Sequence, residues 1–232
     1  MTSSPPVPDG HDVHRAAVET LARHITDGAY ATGRLLQPAA LTAELGFAEA
    51  VLGEAVRVLA AKGVVDAVHR VSPRSAWNVL DSDVLRWTLA GGQPAPVGLF
   101  PDLHELLRAV EPSAAALAAQ FRSPAELTAL DEALAAMAVA ERPPHGDPAL
   151  AARADVAFHT VLLRASRNRF FAQLPRVLVP ALTARGERVH AGPHRHPLPL
   201  HAEVAGRVRE MDADGAYTAM LELLDLSLRD DP

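Results

Sequence analysis

Beyond residue 97 the chain carries apolar residues at helical spacing in one segment after another, with little strand signal. The segments fall at about 99–121, 124–141, 147–167, 169–190, 199–211 and 213–230. Ser123-Pro124 and Asp147-Pro148 have the form of an N-cap followed by a first-turn proline, which fixes two helix starts. Gly215 breaks the last two segments apart between Asp212 and Ala216. Helices joined by connections this short pack antiparallel, so this half of the chain is expected to be an antiparallel α-helical bundle.

The other half is also mainly helical. Val13, Ala17, Leu21 and Ile25 recur every four residues between His11 and Asp27, and Gly28 ends the run. Pro38 to Leu45 reads as a short helix, Gly46 as a tight turn, and Ala48 to Lys62 as a third helix turning Val51, Leu52, Ala55, Val56 and Leu59 inward. Helix, glycine turn, helix is the helix-turn-helix pattern. Two short runs follow, Gly63 to His69 and Ser75 to Val79, flanking Ser72-Pro73. They predict a small hairpin, a wing beside the helices. The stretch Gly91-Gly92-Gln93-Pro94-Ala95-Pro96 is the clearest linker. The expected organisation is a winged helix-turn-helix over 11–80, a linker over 81–98 and a helical domain over 99–230.

Composition narrows the function. Of 232 residues 49% are hydrophobic, enough for a substantial core. No run approaches the roughly 18 uncharged apolar residues of a membrane helix, and the first ten residues are polar and proline-rich without an apolar signal core. A cytoplasmic protein with no membrane partner is expected. There is no cysteine, so disulfides, thiolate metal sites and cysteine nucleophiles are excluded, and any metal must sit on His, Asp or Glu. The net charge of −6 works against DNA binding unless a local basic patch offsets it.

Leu45-Gly46, followed by Glu54-Ala55-Val56-Arg57-Val58-Leu59-Ala60-Ala61-Lys62-Gly63, resembles the winged helix of the GntR transcription regulators. Pro73 to Trp87 resembles the domain junction of the FadR subfamily, in particular its sugar-acid repressors. Glu111-Pro112, Ala154 to His159, Ala165-Ser166-Arg167-Asn168 and Leu200-His201 resemble the FCD effector domain. The resemblance covers about residues 13–230. It implies a ligand-responsive DNA-binding regulator that senses a small carboxylate or sugar acid and works as a homodimer on a symmetric operator.

The resemblance also locates sites. On the DNA side it leaves Arg57 in the third helix, and Arg70 and Arg74 around Ser72-Pro73. The two arginines the family uses on DNA align with Glu49 and Gly53: a carboxylate is repelled by phosphate and glycine offers no donor. Two readings fit these changes, divergence towards an unusual operator, or a winged helix kept for packing after DNA binding was lost.

Within the second half, Asp155 and His159 stand four apart on one helix face and could share an ion. With His201 they resemble three of the four ligands of metal-binding FCD domains, implying a divalent metal, zinc or similar, that contacts the effector. The fourth ligand of the family aligns with Leu223, and the family's effector arginine aligns with Leu107, beside Arg108. Asp155, His159, His201 and Arg108 are therefore the candidate effector contacts. A satisfied, partly buried Asp–His pair is the alternative. His190, His194 and His196 crowd a Gly/Pro loop that reads either as solvated or as the source of a missing ligand.

There is no glycine-rich phosphate loop, Gly-x-Ser-x-Gly elbow or His-Glu-x-x-His pair. An enzyme is the less favoured class, since an Asp, His, His pocket with an open position is the one feature of catalytic form.

Overall fold

The computed structural model of the chain describes residues 10–91, 94–141, 146–191 and 198–229. The chain divides into two units, residues 1–96 and 97–232. Among the described residues the secondary structure is helical apart from isolated bridges. His190, His194 and His196 of the Gly/Pro loop lie outside the residues whose side chains are described.

In the first unit, α1 (Gly10–Thr26) buries Ala17, Val18, Leu21, Ala22 and Ile25. It ends where Gly28 turns left-handed at φ 82°. Helix α2 (Pro38–Leu45) starts on its proline, and the left-handed Gly46 closes it by donating to the Thr42 carbonyl. After a three-residue turn, α3 (Glu49–Ala61) turns Leu52, Ala55, Val56 and Leu59 into the same core. Truncating a fully buried leucine such as Leu52 costs roughly 2–5 kcal/mol, so this stripe alone is a large share of the unit's stability. Helix α2 spans the expected Pro38 to Leu45, and α3 begins and ends within one residue of the expected Ala48 to Lys62.

The hairpin is displaced from its expected place. Val65 pairs with Val71 and Leu35 with Arg70 as single antiparallel bridges, around a turn in which the Asp66 carboxylate accepts from the Val68 and Arg70 amides. Ser75 to Val79 forms no strand: Arg74–Ala76 is a short 3-10 turn, and Trp77 is buried with its Nε1 donating to the Ser72 carbonyl at 3.2 Å. The aromatic that looked like a strand residue is a core plug.

The stretch expected as linker from residue 81 opens with a helix, α4 (Ser82–Ala90), that belongs to the first unit. Asp81 caps it by accepting from the Asp83 and Val84 amides, and Lys62, at the end of α3, donates to Asp81 at 2.7 Å and to Asp83 at 3.0 Å. Trp87 on α4 donates from Nε1 to Glu19 on α1 at 2.8 Å, and Arg86 pairs with the same carboxylate.

The second unit is an all-helical bundle. Helix α5 (Leu99–Phe121) runs through an interior proline, Pro112, which removes one backbone donor and leaves the Arg108 carbonyl without its helical partner. Helix α6 (Pro124–Ala140) opens with a capping box between Ser123 and Glu126, and α7 (Pro148–Ala165) with the Asp147 side chain on the Leu150 amide. Helix α8 (Leu174–Ala191) packs along α7, while α9 (Leu198–Arg209) and α10 (Ala213–Arg229) close the bundle against α5 and α6. Short connections between α6, α7 and α8 make these neighbours antiparallel, as the spacing predicts. Phe158, Leu162, Leu163, Met137 and Met220 form its interior.

Candidate metal centre

Asp155 and His159 lie one turn apart on α7, on the face turned towards α5 and α9. His201 enters from the first turn of α9, only 1% exposed, with its ring edge-on to Phe158. His201 Nε2 sits 2.9 Å from Asp155 Oδ1, and His159 Nε2 is 3.7 Å from the same oxygen. One ligand atom from each of the three residues lies within 4.8 Å of the others.

A fourth residue completes the arrangement. Glu111 on α5, 2% exposed, places Oε2 2.7 Å from His159 Nδ1. The contact sets a carboxylate against Nδ1 while Nε2 lies on the Asp155 side, so Glu111 is placed to orient the ring. Burial by itself would lower the His159 pKa, but the Glu111 and Asp155 carboxylates outweigh it and push it up to about 10. Burial would raise Asp155; His159 and His201 instead hold it well below the usual carboxylate range. Two carboxylates and two imidazoles thus form a buried group that demands positive charge, supplied by a proton on His159 or by a divalent cation. The donor set, one carboxylate oxygen and two imidazole nitrogens, would suit zinc or a similar ion.

The region that holds this group, residues 102–226, matches the FCD domain. The chain is an FCD-domain protein. It is 28% identical over 220 residues to the galactonate operon transcriptional repressor of Escherichia coli strain K12, across 91% of this chain and 93% of that protein. It is 27% identical over 222 residues to the HTH-type transcriptional regulator YieP of the same organism, across 89% and 90%. The fold is shared with Streptococcus agalactiae GntR, at a TM-score of 0.52 and 23% identity over 93% of this chain and 98% of that one. It is likewise shared with E. coli McbR/YncC, at 0.53 and 15% over 94% and 95%.

In this FCD-domain protein the sequence-derived ligands Asp155, His159 and His201 come together, whereas Arg108 does not join them. Its guanidinium is about half exposed and holds Asp225 on α10, Nε to Oδ1, at 2.7 Å. The neighbouring Leu107 is buried, as is Leu223, which contributes packing and no ligand. Glu111 entered the sequence reading only as part of a family motif. The signal for its role was an acid in the buried stripe of α5, at the position that Leu103 and Leu107 lead to.

The DNA-side candidates of the FCD-domain protein are all engaged within the first unit. Arg57 is exposed on α3 but pairs with Glu54 one turn earlier. Arg70 donates to the Gly33 carbonyl at 3.2 Å. Arg74 donates to the Pro94 carbonyl at 2.9 Å and to the Thr88 carbonyl at 3.5 Å, so its fork is used to hold the end of α4. Glu49 is exposed in the first turn of α3, and open space surrounds the Gly53 Cα. The exposed face of α3 therefore offers a glutamate, a glycine and a neutralised Glu54–Arg57 pair.

Proposed function

We propose that the protein is a cytoplasmic, homodimeric, ligand-responsive transcription regulator whose FCD bundle binds a small carboxylate, most simply a sugar acid, at a metal held by Asp155, His159 and His201. The observation that carries this reading is the convergence of those three ligand atoms within 4.8 Å, oriented by Glu111, inside a bundle that matches the FCD domain. The relationship to a galactonate operon repressor favours a sugar acid over other carboxylates. When bound, the metal acts as a Lewis acid that attracts an anionic oxygen. Asp155 and the two histidines would hold it, Glu111 orients His159, and Phe158, packed edge-on to both imidazoles, helps exclude water and so strengthens the charge interaction. Binding changes DNA affinity only to the extent that the two DNA-affinity states of the dimer bind effector differently.

The test is fluorescence anisotropy of the purified protein on the intergenic duplex beside its own gene, across a salt series, with a random duplex as control. Specific binding that weakens when zinc and a hexonate are added together supports the regulator. Absence of specific binding under every condition overturns it.

The surface of α3 favours a second reading, a GntR scaffold that has lost operator binding and keeps its bundle as a small-molecule or metal-dependent site. Glu49, Gly53 and the internally paired Arg57 support it. Metal and sugar-acid binding without operator binding is its signature.

A further inference from the structure

Helix α8 carries an apolar stripe at Leu178, Ala181 and Leu182, and the next residue of that stripe is Arg185. Arg185 is 8% exposed, and both its Nε and its Nη2 are buried without a hydrogen-bond partner among the described residues. Three surface arginines behave differently. Arg86, Arg108 and Arg167, each close to half exposed, all hold a carboxylate. A guanidinium cannot relieve burial by losing its proton, so one that leaves its Nε and Nη2 donors buried and unpartnered is a standing demand for an anion.

Its place on α8 is also informative. A Cβ on Gly186 would stand 2.9 Å from the Ala152 Cβ, so the backbone next to Arg185 is pressed against α7 one turn before Asp155. Side chains on a helix lean towards its N-terminus, and α8 runs antiparallel to α7, which carries the Arg185 guanidinium towards the level of Asp155 and His159. Arg108, the arginine expected from sequence, is committed to Asp225 on the surface.

We infer that Arg185 is an anion anchor inside the bundle, a binding residue whose fork takes a carboxylate of the small molecule that the metal centre receives. The inference rests on the proposed effector role of the bundle and adds the residue that supplies the second positive charge. Guanidinium suits carboxylate and phosphate alike, because both offer two oxygens to its paired N–H groups. The experiment therefore uses both.

The full-length protein, zinc-loaded, is titrated calorimetrically with sodium gluconate, sodium galactonate and inorganic phosphate at matched ionic strength, beside Arg185→Gln and Arg185→Lys. Thermal melts are recorded in chloride alone. Three results are expected: at least one sugar acid binds the wild type; Arg185→Gln weakens it by about a hundredfold or more and Arg185→Lys by about tenfold; and Arg185→Gln melts no lower than the wild type in chloride, since an unpaired buried charge has been removed. Arg185→Lys serves as the folded comparison should Arg185→Gln not fold. Equal sugar-acid affinity in wild type and variants overturns the anchor while leaving the effector reading intact. Phosphate binding that depends on Arg185, with no sugar-acid binding, keeps an anion anchor but overturns the carboxylate assignment and the sugar-acid effector with it. If no anion binds the wild type, or if Arg185→Gln lowers the melting temperature and leaves anion binding unchanged, Arg185 is a structural residue and the inference falls.

Discussion

Glu111 Oε2 and His159 Nδ1 meet at 2.7 Å inside the bundle, joining α5 to α7 through the side of the imidazole that faces away from Asp155. If His159 binds metal as proposed, Glu111 is its positioning residue, and Glu111→Gln, which keeps the shape and removes the charge, is expected to weaken zinc affinity roughly 10- to 100-fold. Competition with a chromogenic chelator measures it. An unchanged affinity would show that the carboxylate only fills space.

His201→Ala and Asp155→Asn each remove one of the three proposed ligands and should abolish stoichiometric zinc binding. Leu223→His is expected to act in the opposite direction. Leu223 is buried on α10, which packs along α5, and an imidazole there would supply the fourth ligand that the family resemblance implies. Zinc affinity should rise at least tenfold, at some cost in packing that a parallel melt would record. Weaker zinc binding by Leu223→His in a folded protein would place residue 223 away from the ion.

On the DNA side, the double substitution Glu49→Arg and Gly53→Arg puts cations where α3 now has a carboxylate and a bare backbone. Each new phosphate contact steepens the plot of log K against log salt by about 0.9, so the double variant should gain close to two units of slope and bind a random duplex more tightly. Anisotropy across a salt series reads both. Arg57→Ala, by contrast, frees Glu54 and should reduce non-specific binding only slightly.

Gly63 has φ 74°, and a Cβ there would stand 2.7 Å from the Ala76 carbonyl oxygen. Gly63→Ala forces both left-handed strain and a backbone shift, for a loss of about 2–3 kcal/mol. Urea unfolding followed by Trp77 and Trp87 fluorescence should show it, whereas Gly53→Ala on α3, in open space, should be neutral or stabilising.

Stability of the first unit should also depend on acid. The Arg86 hydrogen bond, aided by Trp87, holds the Glu19 pKa below its ordinary value of 4.5. A depressed folded pKa stabilises above the unfolded value and is lost as pH falls through the folded one, so the contribution is complete at pH 7 and starts to fall below about pH 4.5. The Glu19→Gln variant should be less stable than wild type by about 1 kcal/mol at pH 7, with the difference shrinking steadily as pH is lowered below about 4.5 in paired urea melts.

The helices were legible because prolines and glycines punctuate them. Pro38, Gly46, Ser123-Pro124 and Asp147-Pro148 mark local events whose cost is paid where they stand, so spacing alone places them. The juxtaposition of Asp155 and His159 was legible for the same reason, the two being one turn apart on one helix. What escaped depends on partners distant in sequence. Trp77 reads as a strand residue until its indole is seen on the Ser72 carbonyl, and residues 82–90 read as linker until Trp87 is seen on Glu19. Glu111 and Arg185 are charged residues within apolar stripes, a pattern that marks them as unusual but names no partner. Arg108 looked suitable by adjacency, yet one residue on a helix is a rotation of about 100 degrees, enough to turn it to the surface.

The joint at the end of α3, where Lys62 grips the capping carboxylate of α4, has a practical meaning for anyone cutting the gene. A fragment stopped at residue 80 would remove Asp81, strand Lys62, and strip Trp87 from Glu19, leaving an apolar face of α1 open to aggregation. The same fragment extended to Pro96 keeps its own cap, its own latch and the carbonyls that Arg74 holds, and is the piece to express, label and crystallise by itself.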